Sequence, residues 1–92
     1  MAKPFDLGFL GGGQLARMSI QAAQRMGLKC TSVDPSADSP ASQIADATAG
    51  GLNDPQALAA VFSRADKVTF ENEFIRAGDI REAMRLADFD PV

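Results

Sequence analysis

The sequence predicts an α/β domain, a three-layer, Rossmann-like fold built on a four-stranded parallel sheet in the order 3-2-1-4. Three observations predict it. Short apolar runs alternate with amphipathic stretches along the 92 residues, which implies parallel strands joined by right-handed crossovers. The first apolar run ends in three consecutive glycines and passes directly into a helical pattern. Strand, glycine turn and helix in that order bring bare backbone N–H groups up to an anion. In the predicted order the chain reverses across the sheet between strands 1 and 4, and the crevice outside their carboxyl ends is the default ligand site.

Taken in order, strand 1 covers residues 5–10, apolar at nearly every position as a strand buried on both faces requires. The following helix carries Leu15, Met18, Ala22 and Met26 at spacings of three, four and four, read as one buried stripe with both methionines as core filler. Gly27 ends the helix in a left-handed cap, with Arg25 in its last turn. Strand 2 covers residues 28–33 and stops at Asp34-Pro35. Asp34 has two readings: a turn opener, or the carboxylate that dinucleotide folds aim at a ribose. Ser39-Pro40 starts a single helical turn in the polar stretch of residues 36–42. Residues 47–49 form a short strand 3, broken by Gly50 and Gly51. Asp54 caps a helix whose first turn holds Pro55 and which buries Leu58, Val61 and Phe62, flanked by Ala59 and Ala65. Strand 4 covers residues 67–70. A last helix runs from about residue 78 or 79 to residue 87 and buries Ile80, Ala83 and Met84. The domain is drawn as residues 1–88, with residues 89–92 as the start of a linker.

Composition excludes several classes of function. Net charge is −3 and the nine Lys and Arg are scattered, so no basic face exists for nucleic acid. No apolar run approaches the roughly 20 residues of a membrane span, and no signal-peptide pattern opens the chain, so no membrane partner is expected and the cytoplasm is the expected location. The single cysteine, Cys30, has no partner for an internal disulfide, and with no histidine a structural zinc site is not expected. Cys30 reads as a small core residue. No nucleophile–base pair can be assembled, so no catalytic residue is assigned.

Residues 11–15 are the floor of the expected site, with Gly12 and Gly13 supplying backbone N–H groups and Gln14 able to donate and accept. Glu71 and Glu73 follow strand 4 and arrive at the same crevice. Two ligand classes fit this floor. Gly11-x-Gly13-x-x-Ala16, with Asp34 lying 23 positions beyond Gly11, meets the loose dinucleotide fingerprint. Against it, two carboxylates would crowd a pyrophosphate. A ligand with a phosphate at one end and hydroxyl or amine groups at the other would use both features, the phosphate on the glycine turn and the donors on Glu71 or Glu73. Arg17 is a candidate phosphate contact, with reach to solvent or a pair with an acid such as Asp34 as the other readings. Asp38 and Ser39 are read as solvated loop, and Asp46 and Asp54 as turn and cap.

Four strings, GFLGGGQLARM, VDPSADSPASQIAD, NDPQAL and VTFENEF, occur in order across residues 6–75. Together they resemble the N-terminal domain of the 5-(carboxyamino)imidazole ribonucleotide synthases, the ATPase subunit of phosphoribosylaminoimidazole carboxylase in the ATP-grasp superfamily. Residues 76–92 match only in having a helix. The resemblance implies carboxylation of aminoimidazole ribonucleotide from bicarbonate and ATP, with Mg²⁺, in purine biosynthesis. It implies ribonucleotide contacts at Gln14, Leu15 and Glu71, backbone support from Gly12 and Gly13, and a further contact at Glu73. The family string Tyr-Glu-Phe-Glu-Asn is here Phe70-Glu71-Asn72-Glu73-Phe74, so the carboxylates keep their spacing but exchange neighbours, and which of them faces the ligand stays open. The ATP-grasp and C-terminal domains are absent from these 92 residues, so the chain alone is expected to hold neither ATP nor Mg²⁺ and to be inactive. A non-catalytic interaction domain is a third reading, with homodimerisation through surface that further domains would cover.

Overall fold

The computed structural model describes residues 3–70 and 75–89. Its sheet is built around β1 (Phe5–Leu10), which pairs in parallel with β2 (Cys30–Asp34) on one side and β4 (Ala65–Phe70) on the other. β3 (Asp46–Ala49) adds to the far edge of β2, giving the order β3-β2-β1-β4. Successive β1 residues face opposite layers: Phe9 packs with Ala16, Ile20 and Ala41, whereas Leu10 packs with Val33, Leu58 and Phe62. Helix α1 (Gln14–Arg25) and a 3₁₀ turn (Pro40–Gln43) therefore cover one face, and α2 (Pro55–Arg64) with α3 (Ala77–Leu86) cover the other.

The face that α1 buries differs from the one its sequence predicts. Ala16, Ile20 and Ala23 are buried, while Leu15, Met18 and Met26 are 65%, 60% and 76% exposed. Ala22 is exposed as well. The two strips lie about 120° apart at roughly 100° per residue. Small side chains at 16 and 23 let the helix backbone approach the sheet with Ile20 filling the centre, which the longer side chains would prevent. The predicted end holds: Gly27 takes φ +82, its N–H donates to the Gln24 carbonyl and that of Leu28 to the Ala23 carbonyl, the pair of bonds that closes a helix on a left-handed glycine.

Asp54 caps α2 by accepting from the Gln56 N–H at 3.0 Å, with Pro55 in the first turn. α2 then runs into β4 without a loop, so β4 starts at Ala65, two positions before the predicted residue 67. Where α2 packs on β1, a Cβ on Gly8 would sit 2.4 Å from Val61 Cγ1. Asp46 opens β3 and accepts from Thr31 Oγ1 at 2.7 Å and Arg64 Nη2 at 3.1 Å. α3 closes like α1, but with Asp88 at φ 52 in the left-handed position. Phe89, assigned by sequence to a linker, turns back so that its ring centroid lies 4.9 Å from that of Phe62, and Lys3 Nζ sits 4.6 Å from the same ring.

Candidate functional site

The three glycines after β1 hold one turn in three ways. Gly11 adopts φ +110, a region L side chains rarely enter, and donates its N–H to the Val33 carbonyl at 2.8 Å. Gly12 is enclosed by the β2–β3 connection. Its N–H donates to Asp34 Oδ2 at 2.9 Å, its carbonyl accepts from the Ala41 N–H at 2.9 Å, and a Cβ there would lie 2.8 Å from Ser39 Oγ. Gly13 is the residue preceding α1, and a Cβ there would meet nothing within 4 Å.

Beyond Gly13 the helix opens with its first donors unspent among the described residues. The first ladder bond runs from the Arg17 N–H to the Gly13 carbonyl. Among the described residues nothing accepts from the N–H groups of Gln14, Leu15 and Ala16, as expected of a helix start without a side-chain cap. They carry the positive end of the helix dipole. These residues, with Gly11 and Gly13, form one wall of a cavity of about 250 Å³; Phe9, Leu10 and Asp34 form the rest. The cavity is thus lined by the first residues of a helix without a side-chain cap and by one acidic residue, groups suited to a polar ligand.

Of the sequence-derived site residues, Gly13, Gln14 and Leu15 line the cavity. Gly12 does not; it sits behind the turn, against Ser39 and Asp34. Glu71 and Glu73 lie outside the described residues. The strand that precedes them ends with Phe70 paired to Leu10, one position before the glycine triplet. Arg17 donates to Gln43 Oε1 at 3.2 Å in an exposed bond, so its observed partner is Gln43 and not Asp34. Ser39, expected in a solvated loop, is 3% exposed, and its hydroxyl has no hydrogen-bond partner. Asp34 does what neither sequence reading described in full. Oδ1 accepts from the Ser36 N–H at 3.0 Å and opens the turn, while Oδ2 holds the glycine turn. Its position at the end of β2 beside the turn was the available signal. Among the described residues no three carboxylate or thiol groups converge as a metal would require, and no helix is long and apolar enough to cross a membrane.

The model of the ribonucleotide synthetase preATP-grasp domain matches residues 4–91. The chain belongs to that family. The preATP-grasp domain is also 39% identical over 72 residues to the N5-carboxyaminoimidazole ribonucleotide synthase of Staphylococcus haemolyticus, covering 77% of this chain and 19% of that one. The N5-carboxyaminoimidazole synthetase of Staphylococcus aureus, solved as a complex with ADP, superposes with a TM-score of 0.82 at 32% identity over 92% of this chain and 23% of its own. The enzyme from Aspergillus clavatus, solved with ADP and 5-aminoimidazole ribonucleotide, superposes with a TM-score of 0.79 at 30% identity over 92% and 23%. The preATP-grasp domain described here therefore spans about a fifth of the length of these relatives.

Proposed function

We propose that this preATP-grasp domain is the ribonucleotide-binding, N-terminal part of an N5-carboxyaminoimidazole ribonucleotide synthase, which carboxylates aminoimidazole ribonucleotide at the expense of ATP in purine biosynthesis. The observation that carries this reading is the cavity at the end of β1, which is lined by Gln14, Leu15 and Ala16 of the uncapped helix start and by Asp34. Main-chain donors at a helix start suit the acceptor atoms of a ribonucleotide. The 5-aminoimidazole ribonucleotide in the Aspergillus clavatus relative supports the ligand class. Gln14 and Leu15 touch the ribonucleotide, Gly13 leaves room for its approach, and Gly12 supports the turn. Glu71 and Glu73, which follow the strand beside β1, supply further acceptors for ribose hydroxyls or the amine. ATP and Mg²⁺ belong to the remaining domains of a full-length enzyme, and the cytoplasm is its location. In these 92 residues the exposed stripe of Leu15, Met18, Ala22 and Met26 favours self-association.

Calorimetric titration of the chain with aminoimidazole ribonucleotide, ribose 5-phosphate and NAD tests the assignment. Saturable heat with aminoimidazole ribonucleotide, weaker with ribose 5-phosphate and absent with NAD, is expected. Binding of NAD alone would replace this reading with a dinucleotide module.

A further inference from the structure

We propose that Asp34 is a positioning residue for the ribonucleotide site, acting through the glycine turn. The inference rests on the ribonucleotide reading for its ligand, but its geometry stands without one. Asp34 ends β2, and its two carboxylate oxygens grip two main-chain segments: Oδ2 holds the Gly12 N–H at 2.9 Å and Oδ1 the Ser36 N–H at 3.0 Å. The segment it anchors closes on Gly12 from two further directions, by the Ala41 N–H on the Gly12 carbonyl and by Ser39 against the Gly12 α-carbon. Gly12 is therefore fixed at N–H, Cα and C=O by residues 34–41, and Gly13 and the first turn of α1 continue from it.

Fixing this turn does two things for binding. It fixes the start of α1, whose Gln14, Leu15 and Ala16 line the cavity, before a ligand arrives, which lowers the ordering cost of association. It also assigns the turn's N–H groups. Gly11 and Gly12 already have acceptors in Val33 and Asp34, so the donors left for a ligand begin further along, at the helix start. Neutral Asn at position 34 keeps one acceptor oxygen, whereas Ala keeps none, and a charge-assisted bond is about twice as strong as a neutral one.

Hydrogen exchange and ribonucleotide titration of the full chain, with Asp34→Asn and Asp34→Ala variants, test the proposal together. In Asp34→Ala, exchange at Gly12 is expected to accelerate roughly tenfold or more, as loss of a hydrogen bond to a charged group implies. The sheet amides of β1 and β2 are expected to keep their protection. Affinity for aminoimidazole ribonucleotide is expected to fall by a similar factor, with Asp34→Asn intermediate on both readouts. Unchanged exchange at Gly12, or a uniform loss of protection across the sheet, would overturn the proposal, the second because Asp34 would then serve stability alone. If Asp34→Ala does not fold, the same comparison is made on Asp34→Asn. If the wild-type chain binds no ribonucleotide, the functional reading fails and Asp34's role towards that ligand with it, while the exchange pattern at Gly12 still upholds or overturns its hold on the glycine turn.

Discussion

At the scale of single residues, neighbouring glycines have separable roles. Gly12→Ala would drive a Cβ to 2.8 Å from Ser39 Oγ and 3.1 Å from Ser39 Cβ, on a side chain with no free space to retreat into. It is expected to lower the unfolding free energy in urea by roughly 1–3 kcal/mol, the usual range for overpacking. Gly13→Ala meets nothing and is expected to cost under about 1 kcal/mol, yet to weaken ribonucleotide binding because the new methyl lies at the cavity wall. Asp88 presents the opposite case, a non-glycine held at φ 52 where a glycine closes α1. Asp88→Gly is expected to raise stability by roughly 0.5–1 kcal/mol, read as a higher denaturation midpoint. Burial pushes the Cys30 thiol up, and the nearby Asp6 carboxylate adds to the shift. A raised folded value means that the stability of the neutral thiol is complete below its ordinary value of 9.0 and is lost as pH climbs through the folded one. Denaturation midpoints should therefore fall more steeply above pH 9 in the wild type than in Cys30→Ala. Single-residue roles were legible in sequence where they are local, as with the Asp54 cap and Gly27. The contacts of Ser39 and Asp34 with Gly12 were not, because they span 27 and 22 positions.

At the scale of elements, α1 separates what periodicity determines from what it leaves open. A helix was evident, but its sequence carries two apolar strips, and the more hydrophobic one faces outward. Choosing between them takes knowledge of how near the helix lies to the sheet, which small residues at 16 and 23 permit and no hydrophobicity count contains. Ile20→Ala is therefore expected to cost about 3 kcal/mol of stability in urea, within the range for buried isoleucine. Met18→Lys is expected to change stability by no more than about 0.5 kcal/mol. On size-exclusion chromatography Met18→Lys should instead shift the chain towards monomer, since it interrupts the exposed stripe. The early start of β4 has a similar cause. Ala65 and Asp66 carry little strand propensity, but pairing of Ala65 with Phe5 across β1 extends the ladder to the end of α2.

At the scale of the whole molecule, the strand order was legible because alternating elements and handed crossovers leave few topologies, and β3-β2-β1-β4 is the one formed. That order determines the site, since it sets the carboxyl end of β4 beside that of β1 and sets β2, with Asp34, on the other flank. That the glycine turn and the helix start border a cavity was readable from sequence. The division of labour within the turn was not, because it depends on a clamp from the β2–β3 connection. The central claim is that a ribonucleotide occupies the cavity framed by Gly13, Gln14, Leu15 and Asp34. An amide chemical-shift map of the ¹⁵N-labelled chain titrated with aminoimidazole ribonucleotide tests it most directly. Saturating shifts concentrated at residues 11–16 and Asp34 are the predicted result; saturating shifts confined to α2, α3 or the β3 edge, with residues 11–16 unmoved, would contradict it.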